Sequence, residues 1–364
     1  MIKIAGLLLF VVTLYAQEGT TFVENNESNA SEKLYIDHFI EGVDDMHKYV
    51  SHKVKVVSSN ADEQVTDWAY EIDGNETREM RKKKTPKDGN VSASMSDYFS
   101  DFFKDETYLN ANNKSYLRVR IGPEFNMREP HQWKASFGFN LNLPYTEDSL
   151  KIFVGEDVDA DLNDKTPDPN AADPSVGMKY FIPEFVEDLD IDFSVGITGI
   201  NPFVRGQIQY PFDFYDWRLR PVQEVQYSIE DEMEEETRMY FDRRISSSEM
   251  VRLFLKRKSE TQKLGQRYSA QISYFNTLAY EVGFNNYIAV SGDSQYFKNN
   301  PDYIPDGREH SGIDNYRVGM VWKQQFFREW LFYEIEPVVE WDRRYRFDEN
   351  YIFKATLELW FGKI

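Results

Sequence analysis

From Ser115 to the C-terminus, apolar and polar residues alternate with a period of two. Leu117, Val119 and Ile121 alternate with Arg118 and Arg120. Trp133, Ala135, Phe137, Phe139 and Leu141 alternate with Lys134, Ser136, Gly138 and Asn140. Leu331, Tyr333, Ile335, Val339 and Trp341 alternate with Glu334, Glu336 and Glu340, and Phe353, Ala355, Leu357 and Leu359 with Lys354, Thr356 and Glu358. Successive side chains of a strand point to opposite faces, so each run separates into an apolar face and an ionic one. Each run is near the roughly ten residues that a tilted strand needs to cross a bilayer. Before Ser115 the period is helical. Ile36, Phe39, Ile40, Val43, Met46, His47 and Val50 recur every three or four residues, and Met95, Tyr98, Phe99, Phe102 and Phe103 share one helical face. Between these two segments, residues 58–91 are polar and read as a linker.

These periods predict an all-β chain, a transmembrane antiparallel β-barrel preceded by a short α-helical periplasmic segment. The strand count comes to about fourteen, with about twelve as the alternative, because the apolar runs at 151–155 and 178–182 are short. The connections alternate in length. Short ones at 144–148, 209–216, 246–249, 276–277 and 325–329 take turns with longer polar ones at 156–174, 230–236, 258–264, 292–312 and 342–350. Short periplasmic turns and longer outer loops are the asymmetry of outer-membrane barrels. With the N-terminus in the periplasm, an even number of strands returns the C-terminus there. Pro337 lies within a strand run and predicts a local bulge.

If the apolar set meets lipid, the alternate set lines the interior. That set holds Arg118, Arg120, Lys134, Arg205, Arg218, Arg220, Glu224, Arg317, Lys323, Glu334, Glu336, Glu340, Lys354 and Glu358. An Arg or Lys on the lipid face would cost about 2–4 kcal/mol at midplane, so the separation of charged from apolar positions is the strongest internal argument for the barrel. Two readings of the interior stay open. Charges in a water-filled lumen tune the passage of charged solutes. Opposite charges on neighbouring strands can instead pair and fill the space.

The start of the chain reads as a signal peptide, residues 1–16. Lys3 precedes an apolar stretch at 4–12, and Leu14-Tyr15-Ala16 has the form of a cleavage site. Residues 17–113 then form the periplasmic helical segment and linker, and 114–364 the barrel. Beyond the signal no apolar run is long enough for a helical span. The chain has no Cys, which excludes disulfides, thiolate metal sites and lipoprotein-type acylation. The net charge of −20 argues against nucleic acid as a partner.

Candidate chemistry is sparse. No cofactor motif is present. The acidic loop at 156–173 spaces Asp157, Asp159 and Asp161 like the first ligands of an EF-hand, but Leu162 stands where glycine is required and Asp168 where a bidentate Glu is. These three aspartates are the candidate metal ligands. The acidic run at 230–236 offers a second place for divalent cations, which would bridge to lipopolysaccharide phosphates. The basic run at 81–84 is a solvated linker or a contact for anionic lipid. Of the five histidines, His131 and His310 lie at a strand edge and in a long loop. They are the bases to consider for the alternative function, an outer-membrane lipid-modifying or proteolytic enzyme. The leading expectation is passage of small charged solutes or a structural envelope role, with outer-membrane lipid, lipopolysaccharide and the barrel-assembly machinery as partners. The terminal Leu357-Glu358-Leu359-Trp360-Phe361 resembles the strand signal read by that machinery, which usually ends on Phe itself; here three residues follow Phe361.

Several stretches together resemble a family of uncharacterised proteobacterial outer-membrane β-barrel proteins. They are Asp97-Tyr98-Phe99-Ser100-Asp101-Phe102-Phe103, Ser115-Tyr116-Leu117-Arg118-Val119-Arg120, Leu143-Pro144-Tyr145-Thr146-Glu147, Trp217-Arg218-Leu219-Arg220-Pro221, Asp242-Arg243-Arg244 and Trp330-Leu331-Phe332-Tyr333-Glu334-Ile335-Glu336-Pro337. The resemblance spans residues 95–361. It implies the fold and an outer-membrane location, and brings no activity with it.

Overall fold

The computed structural model describes residues 28–73, 115–143, 150–155, 164–165, 174–182, 189–279, 282–295 and 312–362. The expected signal peptide at 1–16, the basic run at 81–84, the aromatic segment at 95–103, His310 and the candidate ligands Asp157, Asp159 and Asp161 lie outside the described residues. The chain divides into two units, Met1–Tyr49 and Val50–Ile364.

Helix α1 runs from Ser28–Asp73, well past the expected end near Val50. The stretch read as a linker from 58 onward is helical because it holds no Gly or Pro until Gly74, where a C-terminal stop is favoured. No described helix is long and apolar enough to cross a membrane. Within the second unit, the Ser51 hydroxyl accepts a hydrogen bond from Gly362 N at 3.1 Å, and Ser58 Oγ lies 2.7 Å from Ser115 Oγ. Val54 and Asp62 on the same side of the helix are buried.

The alternating region forms one antiparallel sheet: β1 (Tyr116–Asn126), β2 (Gln132–Asn142), β3 (Leu150–Gly155), β4 (Ser175–Phe181), β5 (Asp190–Thr198), β6 (Asn201–Gln209, resumed as Phe212–Phe214), β7 (Trp217–Ser228), β8 (Glu232–Arg244), β9 (Glu249–Glu260), β10 (Arg267–Ala279), β11 (Val282–Asp293), β12 (Gly312–Phe326), β13 (Arg328–Asp342) and β14 (Glu349–Gly362). The two parts of β6 both pair with β7, on either side of a step at Tyr210 and Pro211. Pro211 has no N–H to give the ladder, so the strand breaks there. β14 pairs with β1 and closes the ring, giving a fourteen-stranded antiparallel barrel. Closure leaves no unpaired edge.

Link lengths differ from the expected ones at three places. The acidic run enters β8 at Glu232, which leaves only residues 229–231 as a turn. Its partner strand explains this: Lys258 stands opposite Glu236 across the β8–β9 ladder, and its Nζ reaches Glu234 at 3.1 Å. β10 runs through Asn276 and Thr277 to Ala279 rather than turning there. The third is the step within β6. Pro337 does not produce the expected bulge. The β12–β13 ladder passes from Gly319↔Val338 to Trp322↔Ile335 with its register unchanged, skipping the residues beside Pro337. The missing proline N–H opens a gap without an inserted residue.

The faces of the sheet are inverted relative to a soluble protein. Ile272 and Ile288, opposite each other in mid-strand, are 56% and 62% exposed, whereas their neighbours Gln271 and Ala289 are 2% and 1% exposed. The same parity exposes Phe193, Val204, Val318 and Phe353 and buries Asp192, Gln207, Lys323 and Glu358. An apolar exterior around an ionic interior is the distribution that hydrocarbon solvent selects.

At the end that carries the longer links, the turn between β13 and β14 leans on the 127–131 link. Tyr345 donates to Glu129 Oε1 at 2.7 Å, and Asp342 caps the short 3-10 turn by accepting from Arg344 N at 2.7 Å. Burial, and then the hydrogen bond to Glu129, push the Tyr345 phenol up to about 12. The folded state thus holds a proton that an unfolded tyrosine releases near pH ~10. Stability from this contact is complete below that pH and is lost as pH rises toward about 12. Alkaline titration of phenolate absorbance, wild type minus Tyr345→Phe, is expected to show one tyrosine ionising near 12. A difference spectrum that titrates near ~10 would contradict the contact.

Candidate functional site

Around the ring the residues of the ionic set keep one ladder parity, the one shared by buried positions such as Asp192, Gln207 and Glu358. The interior charges sort into three groups. Near the short-turn end, Glu358 on β14 is 1% exposed and Lys323 on β12 is 1% exposed. Lys323 Nζ lies 2.8 Å from Glu358 and 3.2 Å from Glu334. Arg120 reaches Glu334 at 2.8 Å and Glu358 at 3.6 Å, and Arg118 reaches Glu358 at 3.8 Å. Trp360 Nε1 donates to the same Glu358 carboxylate at 2.7 Å. Four strands, β12, β13, β14 and β1, thus share one ionic knot.

Higher along the same wall, Glu336 is 3.4 Å from Lys354 and accepts from Tyr287 Oη at 2.7 Å. Arg317 pairs with Glu340, which also accepts from Asn350 Nδ2 at 3.2 Å. Elsewhere on the interior face, Glu224 lies between Arg205 at 3.2 Å and Arg238 at 2.9 Å. Arg220 stacks on Tyr240 at 4.2 Å. Arg218 stands opposite Asp213 and Asp242 in register and is exposed at its strand end. Lys134 is 62% exposed while paired with Glu124 at 2.8 Å. The interior is therefore laced by opposite-charge contacts between strands rather than lined by one sign.

One part of this site has no signal in the alternation. The link between β3 and β4, read from the sequence as an acidic loop with candidate metal ligands, sends Asp164 and Lys165 inside the barrel. Asp164 meets Lys256 at 2.5 Å. Lys165 N donates to Gln271 Oε1 at 2.7 Å, and Arg317 donates to the Lys165 carbonyl at 2.6 Å. Its ammonium lies 3.6 Å from Glu336 and 5.9 Å from the centre of the Tyr287 ring. Those partners belong to β9, β10, β11, β12 and β13, although the link itself joins β3 to β4. Lys165 is 7% exposed. Tyr287, Arg238 and Asp242 were also missed. The first is an aromatic on the polar face, and the other two sit in a stretch of charges without clear alternation.

His131 lies at the β2 end of the first link. Its Nδ1 accepts from Asn126 N at 3.4 Å, and its ring is 5.4 Å from Phe125. Among the described residues no group of His, Asp or Glu is arranged to hold a metal ion. Glu234 and Glu236, offered above as a cation site, lie instead in β8 with basic partners, Glu236 being 3.4 Å from Arg238.

No family model matches the chain, and no curated protein matches it. Among solved structures it is similar to outer-membrane expressed OmpT of Vibrio cholerae, at 8% identity and TM-score 0.42, over 68% of this chain and 97% of that one. It is similar also to OprB of Pseudomonas putida, at 7% identity and TM-score 0.43 over 70% and 96%. A third is the outer membrane channel DcaP of Acinetobacter baumannii, at 8% identity and TM-score 0.41 over 68% and 96%. Likeness at this level carries no functional argument; the fold rests on the closed ladder and its inverted faces.

Proposed function

We propose that the protein is an outer-membrane channel for small charged solutes, with a lumen narrowed at the level of Asp164 and Lys165. The observation that carries the reading is this inward pair, held by side chains of five strands across the interior. A segment fixed inside a closed barrel sets how wide the passage is at that level, and its charges set which ions pass. The charged interior supports a hydrated path, and the apolar exterior supports residence in a bilayer. In this reading residues 1–16 direct export, α1 stands on the periplasmic side, and the longer links face outward. Outer-membrane lipid, lipopolysaccharide and the barrel-assembly machinery are its partners.

Planar-bilayer recording tests this. Wild-type protein is expected to give defined conductance steps in symmetric KCl. Lys165→Glu replaces a cation beside Glu336 with a second carboxylate, and under a salt gradient the reversal potential should move toward cation preference. A protein that inserts and stays folded, yet gives no steps, would sink the channel reading and leave the structural envelope role.

A further inference from the structure

The half of the barrel interior nearest the short-turn end carries a wall of buried apolar side chains. Val222 on β7, Tyr240 on β8, Phe275 on β10, Val321 on β12, Phe332 on β13 and Trp360 on β14 are between 2% and 6% exposed. Ladder parity turns each of them inward. Val222 stands opposite Arg238, Tyr240 opposite Arg220, Phe332 opposite Glu358 and Trp360 opposite Arg118, and Phe275 and Val321 flank Asn285. Neighbours in one layer shield the flanks of such side chains and leave the tips toward the axis bare. About eight strands make a barrel narrow enough for its own side chains to fill, and fourteen make a wider one. A second layer of chain therefore lies against this wall. Asp164 and Lys165 do not supply it. They touch Gln271, Arg317 and Glu336, which are farther from the short-turn end than Phe275, Val321 and Phe332 on the same strands.

Cations ride on these rings. Arg220 lies 4.2 Å over Tyr240, and Arg252 is 5.5 Å from the same ring and 5.8 Å from Phe275. Lys323 is 5.0 Å over Phe332 and Arg118 is 5.7 Å over Trp360. With Arg120 and Arg218, they stand at this level against Asp213, Asp242, Glu334 and Glu358. Arg252 pairs with Asp242 and Lys323 with Glu358, and a local excess of positive charge remains in a chain of net charge −20. Such a wall suits an occupant that brings rings and carboxylates of its own. Residues 97–106, Asp97-Tyr98-Phe99-Ser100-Asp101-Phe102-Phe103-Lys104-Asp105-Glu106, hold four aromatic rings, and four carboxylates against one lysine. They are also tethered to the right end. β1 starts at Tyr116 on the short-turn rim, and from Phe103 the chain can span at most about 45 Å to reach it. A tether of that kind raises the local concentration to roughly millimolar. The basic run at 81–84, on the same tether, would be repelled by the cations. The short links at 144–149 and 183–188 are tied at both ends to β2–β5 and project about 10 Å at most, short of β10 to β13 across the ring.

We infer that residues 97–106 dock on this inner wall, with their carboxylates toward Arg118, Arg220 and Arg252 and their rings toward Tyr240, Phe275 and Phe332. The inference goes beyond the channel reading above. It needs the barrel and does not need conductance.

The test uses the full-length chain, folded and extracted in mild detergent. Photoactivatable benzoylphenylalanine takes the place of Phe102, and cross-linked peptides are identified by mass spectrometry after irradiation. Cross-links to inward positions of β7, β8, β10, β12 or β13 are expected. Cross-links confined to α1, to the links at 144–149 and 183–188 or to a second copy overturn the inference, as does their absence. A second measurement reads charge, in a chain that has no Cys of its own. Val222→Cys and Val321→Cys each put a thiol on the wall, and Gln132→Cys puts one at an exposed interior position near the long-link end as a reference. Maleimide should label the wall thiols at least about tenfold more slowly than the reference. Asp97→Lys combined with Asp101→Lys should speed wall labelling by about tenfold and leave the reference unchanged. Equal labelling rates with and without the two charge reversals overturn the carboxylate contacts. Migration of boiled and unboiled samples establishes that each variant is folded. If wild type itself has no heat-modifiable form, the barrel reading fails; if the cross-links form and no conductance is found, only the channel reading does.

Discussion

Replacing Glu358 with Ala is expected to destabilise the barrel by about 3–5 kcal/mol, the cost of leaving buried charges without their partner. Glu358 is almost wholly buried and is the common acceptor for Lys323, Arg118, Arg120 and the Trp360 indole. Without it Lys323 keeps Glu334, which Arg120 also claims, and the face of the Phe332 ring at 5.0 Å. Glu358→Gln retains an acceptor for Trp360 and removes the charge, so its loss should be intermediate. Replacing Lys323 and Glu358 together with Met should cost less than the sum of the single changes, because neither charge is then left alone. Urea unfolding in phospholipid vesicles, followed by tryptophan fluorescence, measures each variant against the wild type. A loss below about 1 kcal/mol for the Ala variant would mean that water reaches the knot and compensates for the missing carboxylate.

The second large effect concerns the opposite face. Ile288→Arg, at mid-strand on the exterior, should cost about 2–4 kcal/mol in a bilayer. Ile272→Arg, directly across the ladder, should cost the same. Lys134→Gln, on the interior and largely exposed there, should change stability by less than about 0.5 kcal/mol. In detergent micelles, where a guanidinium easily reaches water, the Ile288→Arg penalty should shrink. If Ile288→Arg is tolerated in vesicles as well as Lys134→Gln is, the exterior does not face hydrocarbon.

The face to which each charge belongs was legible before any coordinates, and for a physical reason. A strand has a period of two, and burying apolar groups in lipid while hydrating ions forces that period onto the sequence. Arg118, Arg120, Glu334, Glu336, Glu340 and Glu358 could therefore be assigned to one side from spacing alone. Strand order also set Arg317 and Lys323 on one flank of the strand that carries Glu334, Glu336 and Glu340, and Lys354 on the other, without assigning individual pairs. Asp164 and Lys165 were illegible because a link has no period; what holds them is Lys256, Gln271, Arg317 and Glu336, residues far away in sequence. The acidic run at 230–236 misled because composition was read without its partner strand. Seven residues of mostly one sign look like a loop until Lys256 and Lys258 are set beside them. Helix α1 was cut short for a similar reason: polar composition was taken for a linker, although nothing in it breaks a helix before Gly74.

The junction of β1 with β14 carries its own matching code. Arg120 faces Glu358 there, and Glu124 faces Lys354, so the two chain ends present opposite signs in reversed order. A slip of one residue would turn every side chain to the wrong face. A slip of two keeps the faces but puts Gly122 opposite Lys354 or opposite Glu358, separating both complementary pairs at once. The first and last strands to be synthesised therefore recognise one another by charge as well as by shape, and the ring can close in only one alignment without stranding ions in its wall.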